Sequence, residues 1–245
     1  MPPRYKAVTL DAGGTLFHMG RPVGEVYSEF ASRYGRHTDP RKLEAEFRTL
    51  FIKRSSTSAD AGHLTPADER IWWKALVHEL FDAGKGGFTD FDRFFDELHE
   101  YFAHPDLWKM YPETIDTLER LRAGGVRMAI VSNWDTRLPL LVSRLGVDRF
   151  MDAVMVSAVE KASKPAPRIF QVALERLALT AGEVVHVGDS LRDDIRGARA
   201  MGMGAIWLRR GEGGIVPGEE GMSDGMDGLD IVADLSAAAG IILGS

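Results

Sequence analysis

With 245 residues, 44% of them hydrophobic and 27% charged, the chain is long enough to bury a substantial core and has an ordinary globular composition, which excludes disorder and fibrous repeats. A formal charge of −6 and a pI near 5.7 argue against a broad basic surface for nucleic acid or acidic lipid, but still allow a small anionic ligand held by local cations or a metal. The absence of cysteine excludes disulfides, thiolate nucleophiles and cysteine-based zinc sites.

The first element is the run 5–10, short and apolar without polar alternation, as in a parallel strand buried on both faces. The residues before it lack the long apolar run of a signal peptide, and no stretch approaches the ~18 apolar residues of a membrane span, so a cytoplasmic location is expected. From 19 to 108 come four helical stretches, 24–34, 40–55, 66–81 and 89–102, with no strand between them. This reads as an all-helical block inserted after the first strand, in which the pairs Trp72-Trp73 and Phe94-Phe95 are expected to serve helix packing.

Beyond it, helical and strand-like runs alternate. Helices are expected at 112–123, 137–145, 167–177 and 192–201, and strands at 126–131, 153–156, 183–187, 205–208 and 230–232. Pro112 and Pro167 stand near helix starts, where a missing N–H does no harm, and Gly124-Gly125 closes the first of these helices. Residues 211–228 hold seven glycines and several acids, the composition of an irregular surface loop. Such alternation implies an α/β fold with a parallel sheet covered by helices on both sides.

In open parallel sheets functional groups gather at the carboxyl ends of the strands. Here those ends carry Asp11-Ala12-Gly13-Gly14-Thr15-Leu16, then Ser132-Asn133, then Lys164-Pro165, then Gly188-Asp189-Ser190 with Asp193 and Asp194. Carboxylates on neighbouring strand ends repel unless a cation lies between them, and hard oxygen donors suit Mg²⁺, with Asp11 and Asp189 as ligands. A hydroxyl from Ser132 and an ammonium from Lys164 can hold the remaining oxygens of a phosphate.

These four motifs, in this order, resemble the haloacid dehalogenase-like (HAD) hydrolase superfamily over nearly the whole chain. The likeness extends to the subgroup of haloacid dehalogenase-like hydrolase domain-containing proteins. It is carried by Trp72-Trp73, by Val131-Ser132-Asn133 with Asp135, by the run from Lys164 to Phe170, and by His186-Val187-Gly188-Asp189-Ser190 with Gly197-Ala198. The resemblance implies a Rossmann-like three-layer core at 1–18 and 109–245 with a helical cap at 19–108. It further implies that Asp11 attacks phosphorus to form an aspartyl phosphate, assisted by Ser132 and Lys164. Mg²⁺ would be held by Asp11, the carbonyl of Gly13, Asp189 and Asp194, with Asp193 as the other register for the last acid. Thr15 and Asn133 are the expected substrate-binding residues, and the partner is a small phosphorylated metabolite, with no nucleic acid and no membrane.

One position departs from the family pattern. Most of its phosphatases carry Asp where this chain has Gly13, and that side chain protonates the leaving alcohol and then activates water. Losing a positioned general acid typically costs ~10²- to 10⁴-fold, least for leaving groups that depart without a proton. Weak or leaving-group-selective hydrolysis is therefore expected. Two alternatives stand beside it: a scaffold that binds phosphate or a protein without turnover, and a 2-haloacid dehalogenase, whose halide leaves unprotonated but which lacks the Gly188-Asp189-Ser190 pattern. His18 follows the first motif but is expected at the surface. His186 is expected to be buried and structural, and Arg21, Lys53 and Arg54 are the cap cations that could reach an anionic substrate.

Overall fold

The strands in chain order are β1 (Ala7–Leu10), β2 (Phe17–Met19), β3 (Trp108–Met110), β4 (Arg127–Ser132), β5 (Ala153–Val156), β6 (Val184–Gly188), β7 (Gly204–Leu208) and β8 (Asp230–Val232). The computed structural model describes residues 2–58, 66–82, 87–211 and 228–244. Most of the glycine-rich stretch 211–228 lies outside the described residues. Two units are distinguished, Met1–His18 with Met110–Ser245, and Met19–Lys109.

In the first unit six strands form one sheet in the order β5-β4-β1-β6-β7-β8, and every neighbouring pair is parallel. This is an α/β, Rossmann-like core. β1 is buried along its whole length, as its unalternating apolar sequence predicts. The register sets Leu10 opposite Ile130 on one side and Val187 on the other, so the carboxyl ends of β1, β4 and β6 lie side by side. The chain fills positions on one side of β1 with β4 and β5 and then crosses to β6 on the other, which makes this edge the topological switch point of the sheet.

The helices in chain order are α1 (Val23–Arg33), α2 (Pro40–Ser58), α3 (Pro66–Leu80), α4 (Phe91–Tyr101), α5 (Thr114–Ala123), α6 (Leu138–Arg144), α7 (Ser157–Glu160), α8 (Pro167–Leu177), α9 (Gly197–Ala200) and α10 (Leu235–Leu243). Ile169, Phe170, Ala173 and Leu177 of α8 share a core with Ala7, Ala129, Val131 and Val184, which point to one face of the sheet. α5 and α10 pack on each other and on β4 and β7. A helix expected at 192–201 is instead a π-helical turn, Leu191–Arg196, followed by the single turn of α9. The cause is local: the Ser190 carbonyl accepts from both Asp194 and Ile195, and the Asp194 carboxylate reaches back to the Ser190 N–H at 2.9 Å.

The second unit is helical, α1 to α4. α1 buries Val26, Tyr27, Phe30 and Ala31, one stripe at helical spacing, and α4 buries Phe94, Phe95 and Leu98 behind an N-cap in which Asp90 accepts from the Arg93 N–H at 3.0 Å. Fully burying each such side chain contributes roughly 1.5–3 kcal/mol. Phe94 and Phe95 are core residues, and Trp72 and Trp73 meet edge to face at 4.9 Å against the same cluster, so these pairs serve packing. Arg21 pairs with Glu29 at 2.8 Å and Arg54 with Glu79 at 2.5 Å, within this unit. The short strands β2 and β3, which pair with each other, have no counterpart in the sequence reading; three residues carry too little periodicity to register. Among the described residues no helix is long and apolar enough to cross a membrane.

Candidate active site

Asp11 follows β1 directly, and its N–H donates to the Val187 carbonyl at 2.9 Å, which extends the β1–β6 ladder to the nucleophile candidate. The chain then turns tightly: the Ala12 carbonyl accepts from Thr15, Leu16 and Phe17 at 2.8–3.3 Å. Gly14 adopts φ +82°, a left-handed conformation, and any Cβ there would run into the Asp189 carboxylate. From beyond β7, Arg210 fixes this turn. Its guanidinium donates to the carbonyls of Gly14 (3.2 Å) and Thr15 (2.8 Å), pairs with Glu113 (2.6 Å) and lies 3.4 Å from the Tyr111 ring centroid. Thr15 itself is buried, and among the described residues its hydroxyl has no hydrogen-bond partner.

The carboxylate of Asp11 is approached from two further strand ends. Ser132, the last residue of β4, donates its hydroxyl to Asp11 Oδ1 at 2.9 Å, and Lys164 Nζ donates to the same oxygen at 2.6 Å. The ammonium also reaches Asp194 Oδ1 at 2.6 Å. Asn133, an expected substrate-binding residue, holds the main chain of the lysine: Nδ2 donates to the Lys164 carbonyl (2.8 Å) and Oδ1 accepts from the Lys164 N–H (2.7 Å).

Asp194 is the acid that joins this cluster. Besides Lys164 and the Ser190 N–H, it accepts from His186 Nε2 at 3.0 Å. An ionised carboxylate only accepts, so Nε2 carries the proton there, and Nδ1 lies 2.9 Å from the Thr9 hydroxyl. His186 is thus fully buried and orients Asp194. Asp193 pairs with Arg192 at 3.8 Å. The ring of His18 packs on that of Tyr111 at 4.7 Å. Asp189 stands open to solvent, its carbonyl held by the Trp207 indole N–H at 3.0 Å.

Asp11, Asp189 and Asp194 each offer a carboxylate oxygen, and the three lie within 4.8 Å of one another. An all-oxygen, all-anionic donor set suits a hard divalent cation of the Mg²⁺ kind. Electrostatics point the same way. Burial pushes the Asp11 carboxyl up, against the pull of Lys164, and the Asp194 charge adds to that push. Desolvation of its inner side raises Asp189, and repulsion from Asp11 and Asp194 raises it further. Burial would lower the Lys164 ammonium, but its two carboxylate partners outweigh that and hold it protonated. One buried cation is shared by more negative charge than it can neutralise.

Gly188, the last residue of β6, tests how closely the cluster is packed. A Cβ there would overlap the Asp194 carboxyl carbon, whereas one on Gly182 would meet nothing within 4 Å among the described residues. Gly188→Ala is expected to displace Asp194 and lower stability by about 1–3 kcal/mol, as overpacking does. Gly182→Ala should stay within about 0.5 kcal/mol of the native protein, as unstrained surface changes do. Urea unfolding of the two variants side by side checks this; equal midpoints would count against the close approach.

The chain has clear relatives. The family model of the haloacid dehalogenase-like hydrolases matches residues 5–202. The haloacid dehalogenase-like hydrolase domain-containing protein 3 of Homo sapiens is 33% identical over 201 residues, 82% of this chain and 80% of that protein. Among solved structures, a HAD phosphatase from Thermococcus onnurineus is 26% identical, with a TM-score of 0.65 over 98% of this chain and 99% of its own. The L-2-haloacid dehalogenase from Xanthobacter autotrophicus shares the fold at 22% identity, with a TM-score of 0.72 over 98% and 99% of the two chains.

Proposed function

The chain belongs to the haloacid dehalogenase-like hydrolases, and on that premise we propose that it hydrolyses a small phosphate monoester with Mg²⁺, through an aspartyl phosphate formed on Asp11. One observation carries this reading: Asp11 Oδ1 is gripped by both Ser132 and Lys164 while two further carboxylates stand within 4.8 Å. A carboxylate held on one oxygen by two donors has its orientation fixed for attack through the other.

In this mechanism Asp11 attacks phosphorus, its O–P bond forming as the bond to the leaving oxygen breaks. Ser132 and Lys164 follow the charge onto the phosphoryl oxygens, where preorganised donors act most strongly in a water-poor site. Water then attacks the phosphorus of the acyl phosphate, the Asp11 O–P bond breaks to restore the carboxylate and release phosphate, and a proton of that water goes to solvent. Asp11, Asp189, Asp194 and the Gly13 carbonyl are the groups that would hold Mg²⁺. The chemistry such a metal supplies when bound is charge neutralisation and polarisation of the phosphoryl group. His186 and Asn133 act at one remove, by fixing Asp194 and Lys164.

The three clustered carboxylates favour this reading over the dehalogenase, whose carbon substrate gives them nothing to hold. The test measures phosphate released from aryl, acyl and alkyl phosphates, with Mg²⁺ and after chelation, and looks for a phosphoryl group on the Asp11 peptide in acid-quenched protein. Turnover that chelation removes is the expected result. Phosphate binding without turnover of any ester would establish the scaffold alternative, and metal-independent halide release from a 2-haloacid would establish the dehalogenase.

A further inference from the structure

Glycine at position 13 is not required by the backbone, because Gly13 is not among the residues with positive φ. It is required by space. A Cβ there would stand 2.7 Å from Cζ3 and 3.4 Å from Cη2 of Trp134, and carbon atoms separated by a real packing contact sit at about 3.5–4.0 Å. The indole of Trp134 therefore occupies the volume that a side chain at position 13 would enter.

That indole is firmly placed. Trp134 lies two residues beyond Ser132, and its main chain is pinned from both sides by one hydroxyl: Ser157 Oγ accepts from the Trp134 N–H at 3.0 Å and donates to its carbonyl at 3.0 Å. The Ala158 N–H donates to the same carbonyl at 3.4 Å. The ring meets the fully buried Phe17 edge-on, centroids 5.7 Å apart, and Phe17 is itself bridged to Gly13. Moving the indole aside means giving up the ring contact and disturbing a doubly bonded turn.

We propose that Trp134 is a specificity-determining residue, an aromatic wall standing where an acidic side chain would otherwise serve the leaving group, and that it restricts the site to phosphate esters of phenols and comparably acidic leaving groups. The proposal rests on the phosphoryl-transfer reading of Asp11 given above. Two physical consequences of the wall act together. No titratable group can stand at position 13, so the leaving oxygen must depart as an anion, which a phenolate does far more readily than an alkoxide. The half-buried indole also offers an apolar surface that favours an aromatic leaving group over a hydrated aliphatic one.

It follows that an acid cannot be restored by Gly13→Asp alone. The test is a double-mutant cycle of Gly13→Asp and Trp134→Ala, reading kcat/KM with Mg²⁺ for 4-nitrophenyl phosphate and glycerol phosphate, and thermal unfolding for each protein. The native chain should favour the aryl ester strongly. Gly13→Asp should lose thermal stability and gain no alkyl activity. In the Trp134→Ala background that loss should shrink, and alkyl turnover should rise on the order of 10²-fold or more as the new acid finds room. A gain of alkyl activity from Gly13→Asp alone, or an aryl-to-alkyl ratio unchanged across all four proteins while Asp11-dependent aryl hydrolysis is present, would overturn the role of Trp134. Absence of phosphate release from either ester in every protein would instead overturn the phosphoryl-transfer reading and this inference with it, whatever the unfolding shows.

Discussion

Lys164→Met is expected to destabilise the protein by about 3–5 kcal/mol at neutral pH, the cost of removing one partner from a buried ionic cluster, and so to lower Tm by roughly 6–20 °C. Methionine keeps the length and packing of the lysine, so the effect isolates its charge. Lys164 is 4% exposed, and its ammonium lies 2.6 Å from both Asp11 (7% exposed) and Asp194 (1% exposed). Without it two carboxylates remain buried against each other, with Asp189 beside them.

The pH dependence of that loss has a definite sign. In the native chain burial would raise the Asp194 carboxyl, but Lys164, with help from His186, outweighs it and holds the carboxyl below its ordinary value. A depressed acid contributes stability that is fully present above the unfolded pKa of about 3.9 and is lost as pH falls through the lower folded value. In the variant burial dominates, as it already does at Asp11, and both carboxyls lie above their unfolded values. The folded variant then binds more protons than its unfolded chain, so its stability rises as pH falls from 7 towards 4. Urea unfolding across that range should show the gap between native and variant protein narrowing on acidification. A gap that stays constant would mean that the lysine acts by packing and not by charge.

The core strands and the residues just past their ends could be read from the sequence because both signals are local. An unalternating apolar run marks a buried parallel strand, and a polar residue directly after it must fall on the carboxyl edge. Asp11, Ser132 and Asp189 are of this kind, and the sheet register brings their strands together. Asp194 could not be separated from Asp193 by spacing alone. The choice depends on a π-helical turn, which arises from one carbonyl accepting two N–H groups and has no sequence signature of its own.

What was not legible is the set of residues that hold the site from a distance. Arg210 reaches the Gly14 and Thr15 carbonyls across nearly 200 positions of sequence, and it follows an unremarkable short strand. Trp207 anchors Asp189, and Thr9 with His186 anchors Asp194, through contacts that only the strand order creates. The bonds of the Asn133 amide to the Lys164 main chain were not legible either, since an amide directly after a strand end can face either a ligand or the neighbouring loop. Trp134 left one usable sign: a glycine where an acid is usual, with a bulky aromatic directly beyond Ser132-Asn133. A small residue at one position and a large one at the other do not by themselves establish contact, which only the coordinates give.

Asp11→Asn carries the largest expected effect on activity, a fall in Mg²⁺-dependent phosphate release on the order of 10⁴-fold or more, because it removes the proposed nucleophile instead of a group that assists it. The replacement is nearly isosteric, so the Ser132 and Lys164 donors keep an oxygen to bond, and Lys164 keeps Asp194 as its charged partner. Stability should therefore change far less than for Lys164→Met. Asp11 is raised by burial in the native chain, and a neutral amide escapes that penalty, which offsets the weaker bond to the ammonium. The contrast between the two variants is the informative measurement: one inactive and stable, the other weakened in fold. Ser132→Ala, lacking one donor to the same oxygen, should fall between native protein and Asp11→Asn in rate. Were Asp11→Asn to keep turnover within about tenfold of the native value, the covalent intermediate would have to be abandoned, and hydrolysis by a directly bound water would become the mechanism to test.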